Sequence, residues 1–373
     1  MELNLLKTKR NFKLITEKAP GKLYIAGEYA IVEPGNNAVL VAINQFVTAS
    51  LEPSKLTVGN IISKQYQNNV LSWRRRGSEL VVDNRDNPYH YILSAISIIE
   101  ELAVLLNRKL KTYNLYINSD LDSSDGKKYG LGSSAAVTVA TIKVVAKFYN
   151  IPLTKELLFK LASIAHLDVQ GNGSLGDIAA SVYGGWIAYQ SFNRDWLNSM
   201  RRTKDLETIL RTPWPQLKIE LLTPPSDLRL YIGWTGSPAS TSDLVDQVAT
   251  TSYQETDSYH EFLTKSASCI NKMIDGFRDA DITVIQREIT NNRHLLQELS
   301  LFSGVSIETT TLTNFCDIAE KFDGAAKSSG AGGGDCGIVI MPNSTKTAKM
   351  FAEWEKHDIK PLDLDVHHVT EIN

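Results

Sequence analysis

The chemistry in this sequence is concentrated in three short segments rich in glycine and serine. In Lys128-Tyr129-Gly130-Leu131-Gly132-Ser133-Ser134-Ala135-Ala136, a polar loop gives way to a strongly apolar helical pattern. The first N–H groups of a helix have no partner within it and lie at the positive end of its dipole, so a polyphosphate can sit there. Ser133 and Ser134 add donors to phosphate oxygen, and Ser134 is a neutral oxygen ligand for a divalent ion such as magnesium. Alone, the same letters also describe a glycine turn with a serine cap. The second segment, residues 19–30, runs Pro-Gly-Lys into a short apolar strand, which sets the Lys22 ammonium where a transferring phosphoryl group could meet it. In isolation Lys22 would read as an ordinary solvated lysine. The third, residues 326–337, reads KSSGAGGGDCG after its first alanine and makes a concavity of backbone groups, or by itself a flexible hairpin.

The elements that must position these segments follow from pattern. Residues 38–51, 79–83 and 112–117 are rich in Val, Ile and Tyr and read as strands. Residues 89–106, 131–149 and 153–169 read as helices, the last with Thr154 as its N-cap. Proline thickens over 212–225, which we take as an interruption of regular structure and a join between domains spanning 1–211 and 212–373. Beyond it come a strand at 228–234, helical patterns over 258–322, and strands at 336–341 and 360–367. This is an α+β chain with helices layered on mainly antiparallel sheet.

Bulk composition excludes other classes. A chain of 373 residues with 43% hydrophobic content suits two packed domains. A net charge of -3 gives no positive field to hold nucleic acid or an anionic membrane, so any anion must be gripped locally. Cys269, Cys316 and Cys336 are odd in number and lack CxxC spacing, which points to a reducing cytoplasm. The start shows no apolar signal core. No GxxxxGK[ST] occurs, nor the HRD and DFG pair of a protein kinase. The glycine triplets 171/173/176 and 332/334/337 match GxGxxG, but the first follows a helical pattern and the second leads into a strand, so neither has the strand-turn-helix setting of a dinucleotide site. No HExxH is present, and His367-His368 read as surface residues. Trp73-Arg74-Arg75-Arg76 reads as a solvated strand face.

Taken together, PGK near the start, GLGSSAA in the middle and GAGGG near the end resemble, in kind and order, the GHMP kinases (galactokinase, homoserine, mevalonate and phosphomevalonate kinases) over nearly the whole chain. The resemblance implies an N-terminal domain like domain 2 of ribosomal protein S5, a ferredoxin-like C-terminal domain, and an active site between them. GEYAIVEPG at 27–35, GSLGDIAAS at 173–181, GWTGSPAST at 233–241 and KSSGAGGGDCG look like the phosphomevalonate branch rather than the GEHAVVHG of mevalonate kinases. The activity implied is transfer of the ATP γ-phosphoryl group to the 5-phosphate of (R)-5-phosphomevalonate, in the mevalonate pathway of isoprenoid biosynthesis. Magnesium is the implied cofactor.

By the same resemblance Lys22 and Asp177 are catalytic. Asp177 opens a short helix whose dipole favours its anion, and this suits positioning better than proton abstraction. ATP falls to Asn84, Lys128, Gly130, Leu131, Gly132, Ser133, Ser134 and Ala135, with Asn84 at the adenine. The acceptor falls to Lys22, Tyr24, Glu28, Tyr29, Ser329, Gly330, Ala331 and Gly332, and Ser237 and Arg293 could hold its phosphate, although Asn84, Ser237 and Arg293 read equally as plain surface residues. Many relatives carry a metal-binding glutamate eleven residues before the aspartate, whereas this chain has His166, leaving Ser134 as the side-chain ligand for magnesium. The partners expected are ATP and phosphomevalonate, with no nucleic acid or membrane, in a monomer or homodimer. The alternatives are the same fold acting on mevalonate or another small alcohol, and a non-catalytic nucleotide sensor.

Overall fold

The structure is a computed structural model that describes residues 14–64, 69–82, 87–121, 129–237, 244, 256–343 and 347–368. Two sheets organise it. The larger has eight strands: β1 (Ile15–Ala26), β2 (Asn37–Pro53), β3 (Val58–Ser63), β4 (Val70–Arg76), β5 (Glu79–Val82), β6 (Tyr113–Ser119), β7 (Trp186–Gln190) and β8 (Lys218–Leu222). Their order is β5-β4-β3-β6-β2-β7-β8, with β1 also on β2, and β3–β6 is parallel while the other pairs are antiparallel. The smaller sheet, in the order β10-β11-β9-β12, is antiparallel: β9 (Leu228–Trp234), β10 (Ala325–Ser328), β11 (Cys336–Pro342) and β12 (Lys360–Leu362).

Helices α1 (His90–Leu105), α2 (Ser133–Phe148), α3 (Lys155–Gln170) and α4 (Gly176–Tyr183) pack on one another, with α2 and α4 against β1 and β2. Helix α2 is rich in Val, Thr and Ile, which are indifferent helix formers. It forms because it is apolar almost all round and buried on nearly every side, so packing outweighs propensity. Thr154 caps α3 as expected, its hydroxyl accepting from Leu157 N–H at 3.1 Å. Two short helices, α5 (Arg194–Thr203) and α6 (Leu206–Arg211), follow β7. In the second half, α7 (Asp257–Arg278), α8 (Ile282–Ser303), α9 (Thr310–Glu320) and α10 (Thr347–Glu355) complete the helical layer, α8 and α9 lying on β10 and β11.

Three readings are revised. Prolines at 213, 215, 224 and 225 flank β8 rather than break it, and β8 pairs with β7 in the larger sheet. We therefore propose that the join lies at 223–227, between β8 and β9, instead of at 212. The strand expected over 360–367 is regular only to Leu362, after which Val366 makes an isolated antiparallel bridge to Ile43. The basic run of β4 is not simply solvated: Trp73 is fully buried, and Arg75 forms a two-pronged ion pair with buried Glu100. One continuous apolar core links the halves, taking in Leu40, Val139, Ile289 and Ile338.

Candidate active site

Lys22 owes its position to a break in the β1–β2 ladder. The register slips between Pro20 and Lys22, at Gly21. A Cβ on Gly21 would stand 2.8 Å from the Leu131 carbonyl oxygen, so only glycine lets β1 approach the loop before α2 this closely. The approach is sealed by Lys22 N–H donating to Leu131 O at 2.8 Å, and the Lys22 ammonium donates to Gly130 O at 3.1 Å. Lys22 is 8% exposed, a buried cation facing a cavity of about 330 Å³.

The start of α2 forms a second wall. Its N-cap is Gly132, left-handed at φ 79°, and among the described residues no side chain caps the helix. The first-turn amides therefore remain available, beside the half-buried Ser133 and Ser134 that line the cavity. A third wall is α4, entered through Leu175 in a left-handed conformation, which brings Asp177 into its first turn and onto the cavity. Asp177 Oδ1 accepts from Ile178 N–H at 2.9 Å. The fourth wall joins chain segments some three hundred residues apart. Tyr29 OH donates to Ala331 O at 2.6 Å, Ser329 Oγ to Tyr24 O at 2.9 Å, and the Lys327 ammonium to Glu28 Oε1.

Local electrostatics keep the tyrosines protonated. Burial, reinforced by Asp177 and Glu28, pushes the Tyr24 phenol well above its ordinary range, and burial with Glu28 does the same to Tyr29. Tyr24 OH shares a 2.7 Å hydrogen bond with Ser174 Oγ. His166 is buried, packs on Tyr91 with ring centroids 4.9 Å apart and planes tilted by 34°, and holds Ser134 Oγ at 3.2 Å through Nε2, while its Nδ1 has no hydrogen-bond partner among the described residues. Burial lowers the His166 pKa, against a smaller opposing pull from Asp177.

Most residues named from sequence converge here. Lys22, Tyr24, Glu28, Tyr29, Gly130, Gly132, Ser133, Ser134, Asp177, Ser329, Gly330 and Ala331 line the one cavity. Leu131 and Ala135 are buried behind its wall. Gly332 packs against the Ile307 carbonyl instead, and Ser237 is exposed, its carbonyl accepting from Asp335 N–H at 2.8 Å. Asn84 and Lys128 lie outside the described residues. Arg293 is a correction. Its guanidinium is spent on Glu308, Asp317 and Glu320, and it does not line the cavity, so it is in no position to hold a phosphate. Ser174, Tyr91 and Asp335 also line the cavity and were not picked out from sequence. Asp335 follows directly on the glycine run, a signal that could have found it.

The GHMP kinases N terminal domain matches residues 90–185, and the GHMP kinases C terminal domain matches residues 273–360. A phosphomevalonate kinase of Streptomyces sp. (strain CL190) is 36% identical over 363 residues, covering 94% of this chain and 97% of that protein. The chain belongs to the GHMP kinases. Among solved structures, a Lin0012 protein from Listeria innocua is similar at TM-score 0.90 and 39% identity, over 96% of this chain and 99% of that one. Streptococcus pneumoniae phosphomevalonate kinase in complex with phosphomevalonate and AMPPNP is similar at TM-score 0.82 and 29% identity, over 94% and 99%. This chain thus has the two-domain α+β GHMP kinase fold.

Proposed function

We propose that this chain transfers the γ-phosphoryl group of ATP to (R)-5-phosphomevalonate, giving 5-diphosphomevalonate, the reaction of a phosphomevalonate kinase. The observation that carries the mechanism is the convergence of Lys22, Asp177 and the uncapped start of α2 on one cavity. The similarity to the Streptomyces enzyme along nearly the full length supports the choice of acceptor.

An acceptor phosphate is largely ionised near neutral pH, with a second pKa of about 6, so the reaction hardly needs a base. What it needs is relief from repulsion between two polyanions. The α2 amides and dipole, with Ser133 and Ser134, hold the triphosphate; Lys22 screens the attacking and transferring oxygens. Asp177 positions the acceptor or Lys22. Tyr24, kept neutral, can donate a hydrogen bond but not abstract a proton.

A magnesium ion fits as one carried by the nucleotide. Ser134 Oγ is a neutral oxygen at the cavity, and no group of three His, Cys, Asp or Glu suited to a metal occurs among the described residues. Bound there, the ion supplies charge neutralisation on the phosphates. Three free, buried thiols favour the cytoplasm as the working compartment, and among the described residues no helix is long and apolar enough to cross a membrane.

Purified protein given ATP with either phosphomevalonate or mevalonate, followed by phosphorus NMR, tests the reading. Diphosphate resonances growing from phosphomevalonate are expected; faster ADP release with mevalonate would overturn the choice of acceptor.

A further inference from the structure

His166 is fixed in place by the fold around it. It is 2% exposed, packs on Tyr91 from α1, and meets Ser134 Oγ at 3.2 Å through Nε2, and all three residues line the cavity. One residue earlier, Ala165 O accepts from Ser94 Oγ at 2.8 Å, which ties α3 to α1 beside the ring. Burial disfavours the imidazolium, so one ring nitrogen carries a proton and the other a bare lone pair. Nδ1 has no hydrogen-bond partner among the described residues. A buried N–H left without an acceptor is rarer in proteins than a buried acceptor left without a full set of donors. The proton therefore belongs on Nε2, which donates it to Ser134 Oγ, and Nδ1 keeps only its lone pair.

The direction of this bond decides what Ser134 can do. A hydroxyl has one proton and two lone pairs. An acceptor at Nε2 would consume the serine proton inside the protein, whereas a donor there leaves it free. Ser134 Oγ has no second partner among the described residues, and the Ser134 carbonyl already takes the Thr138 hydroxyl at 2.8 Å. Resting on the start of α2 as the seat of the ATP phosphates, we infer that His166 is a positioning residue of the nucleotide site: by occupying one lone pair of Ser134 Oγ it turns the serine proton toward a phosphoryl oxygen. The second lone pair stays open to the cation that the nucleotide carries. His166 acts through Ser134, and its worth to the nucleotide vanishes when the serine hydroxyl is removed.

Two measurements test this. In protein carrying isotopically labelled histidine, nitrogen NMR reports which ring nitrogen of each of the seven histidines is protonated. The His166 signals are assigned by their loss in His166→Gln or their shift in Ser134→Ala. A proton on Nε2 is expected and a proton on Nδ1 overturns the inference; because wild type is observed, this stands even if a variant fails to fold. Calorimetry of magnesium-ATP binding then closes a double-mutant cycle. Ser134→Ala should raise Kd about tenfold or more, and His166→Leu about fivefold. In the Ser134→Ala background His166→Leu should change Kd by less than about 1.5-fold, because no hydroxyl remains to be turned. His166→Gln, whose amide also donates, should stay within about twofold of wild type. A histidine that merely fills space would cost the same with or without the serine hydroxyl. Additive losses, a His166→Gln protein as weak as His166→Leu, or an unchanged Kd in Ser134→Ala each overturn the inference while leaving ATP binding by the chain standing. Failure of wild type to bind magnesium-ATP overturns the nucleotide site and the inference together.

Discussion

His166 stands where the family pattern leads one to expect a metal-binding carboxylate, and its surroundings hold it neutral. Burial lowers its pKa, and Nε2 is spent on Ser134. The unfolded chain would protonate this imidazole near its ordinary value of about 6.5. Below that pH the unfolded state binds more protons than the folded one, so the stability tied to neutral His166 is present above about pH 6.5 and is lost as pH falls through it. Urea unfolding of His166→Gln at pH 7.5 and 5.0 should therefore show a smaller loss on acidification than wild type, and an equal loss would contradict this. The glutamine amide can still reach Ser134. Loosening one neutral hydrogen bond is worth about 0.5–1.5 kcal/mol, so turnover should fall no more than about tenfold. At this scale the sequence was least legible. Arg293 looks like any helical arginine until the fold brings Glu308, Asp317 and Glu320 around it, contacts that no spacing rule reveals. Lys22, by contrast, was picked out by the Pro-Gly turn before it and by the family resemblance, and the structure places it, buried, on the cavity.

The element on which the site depends is α2, and its first turn works because Gly132 is a glycine. At φ 79° its missing side chain leaves room for the Lys22 stem, whose Cγ and Cε would lie 3.0 Å from an added Cβ. Gly132→Ala must strain the turn by about 1–2 kcal/mol and push Lys22 away as well. It should lower the thermal unfolding midpoint by a few degrees and cut kcat by about 100-fold or more. Retention of wild-type kcat would show that Lys22 and the turn are not mechanically linked. Helices α2 and α3 were legible because their apolar runs are long, and α3 also because Thr154 caps its start. Strand β8 was not: five residues between two proline pairs look like linker until β7 supplies the partner. Strand β4 was half legible, since WRRR announces charge but not the pairing of Arg75 with Glu100 beneath it.

Across the whole molecule, the cavity exists only because distant segments return to one another. Residues 24–29 meet 327–331 through Tyr29, Ser329 and the Glu28–Lys327 pair. Residues 365–367 close on the larger sheet: Asn44 N–H donates to Asp365 O at 2.9 Å, His367 N–H to Ala42 O at 2.9 Å, and Gly185 N–H to His367 O at 2.7 Å. The order of the glycine-rich segments signalled the family and hence this convergence, but not the side chains that fasten it. The account's central claim is that nucleotide and acceptor meet under the Lys22 ammonium while α2 holds the triphosphate independently. Single-turnover kinetics of Lys22→Met, with ATP affinity measured on the same protein, tests this most directly. The expected result is a phosphoryl-transfer rate at least about 100-fold lower with ATP Kd changed by no more than about threefold; a wild-type rate, or a rate loss explained wholly by lost ATP binding, would contradict it.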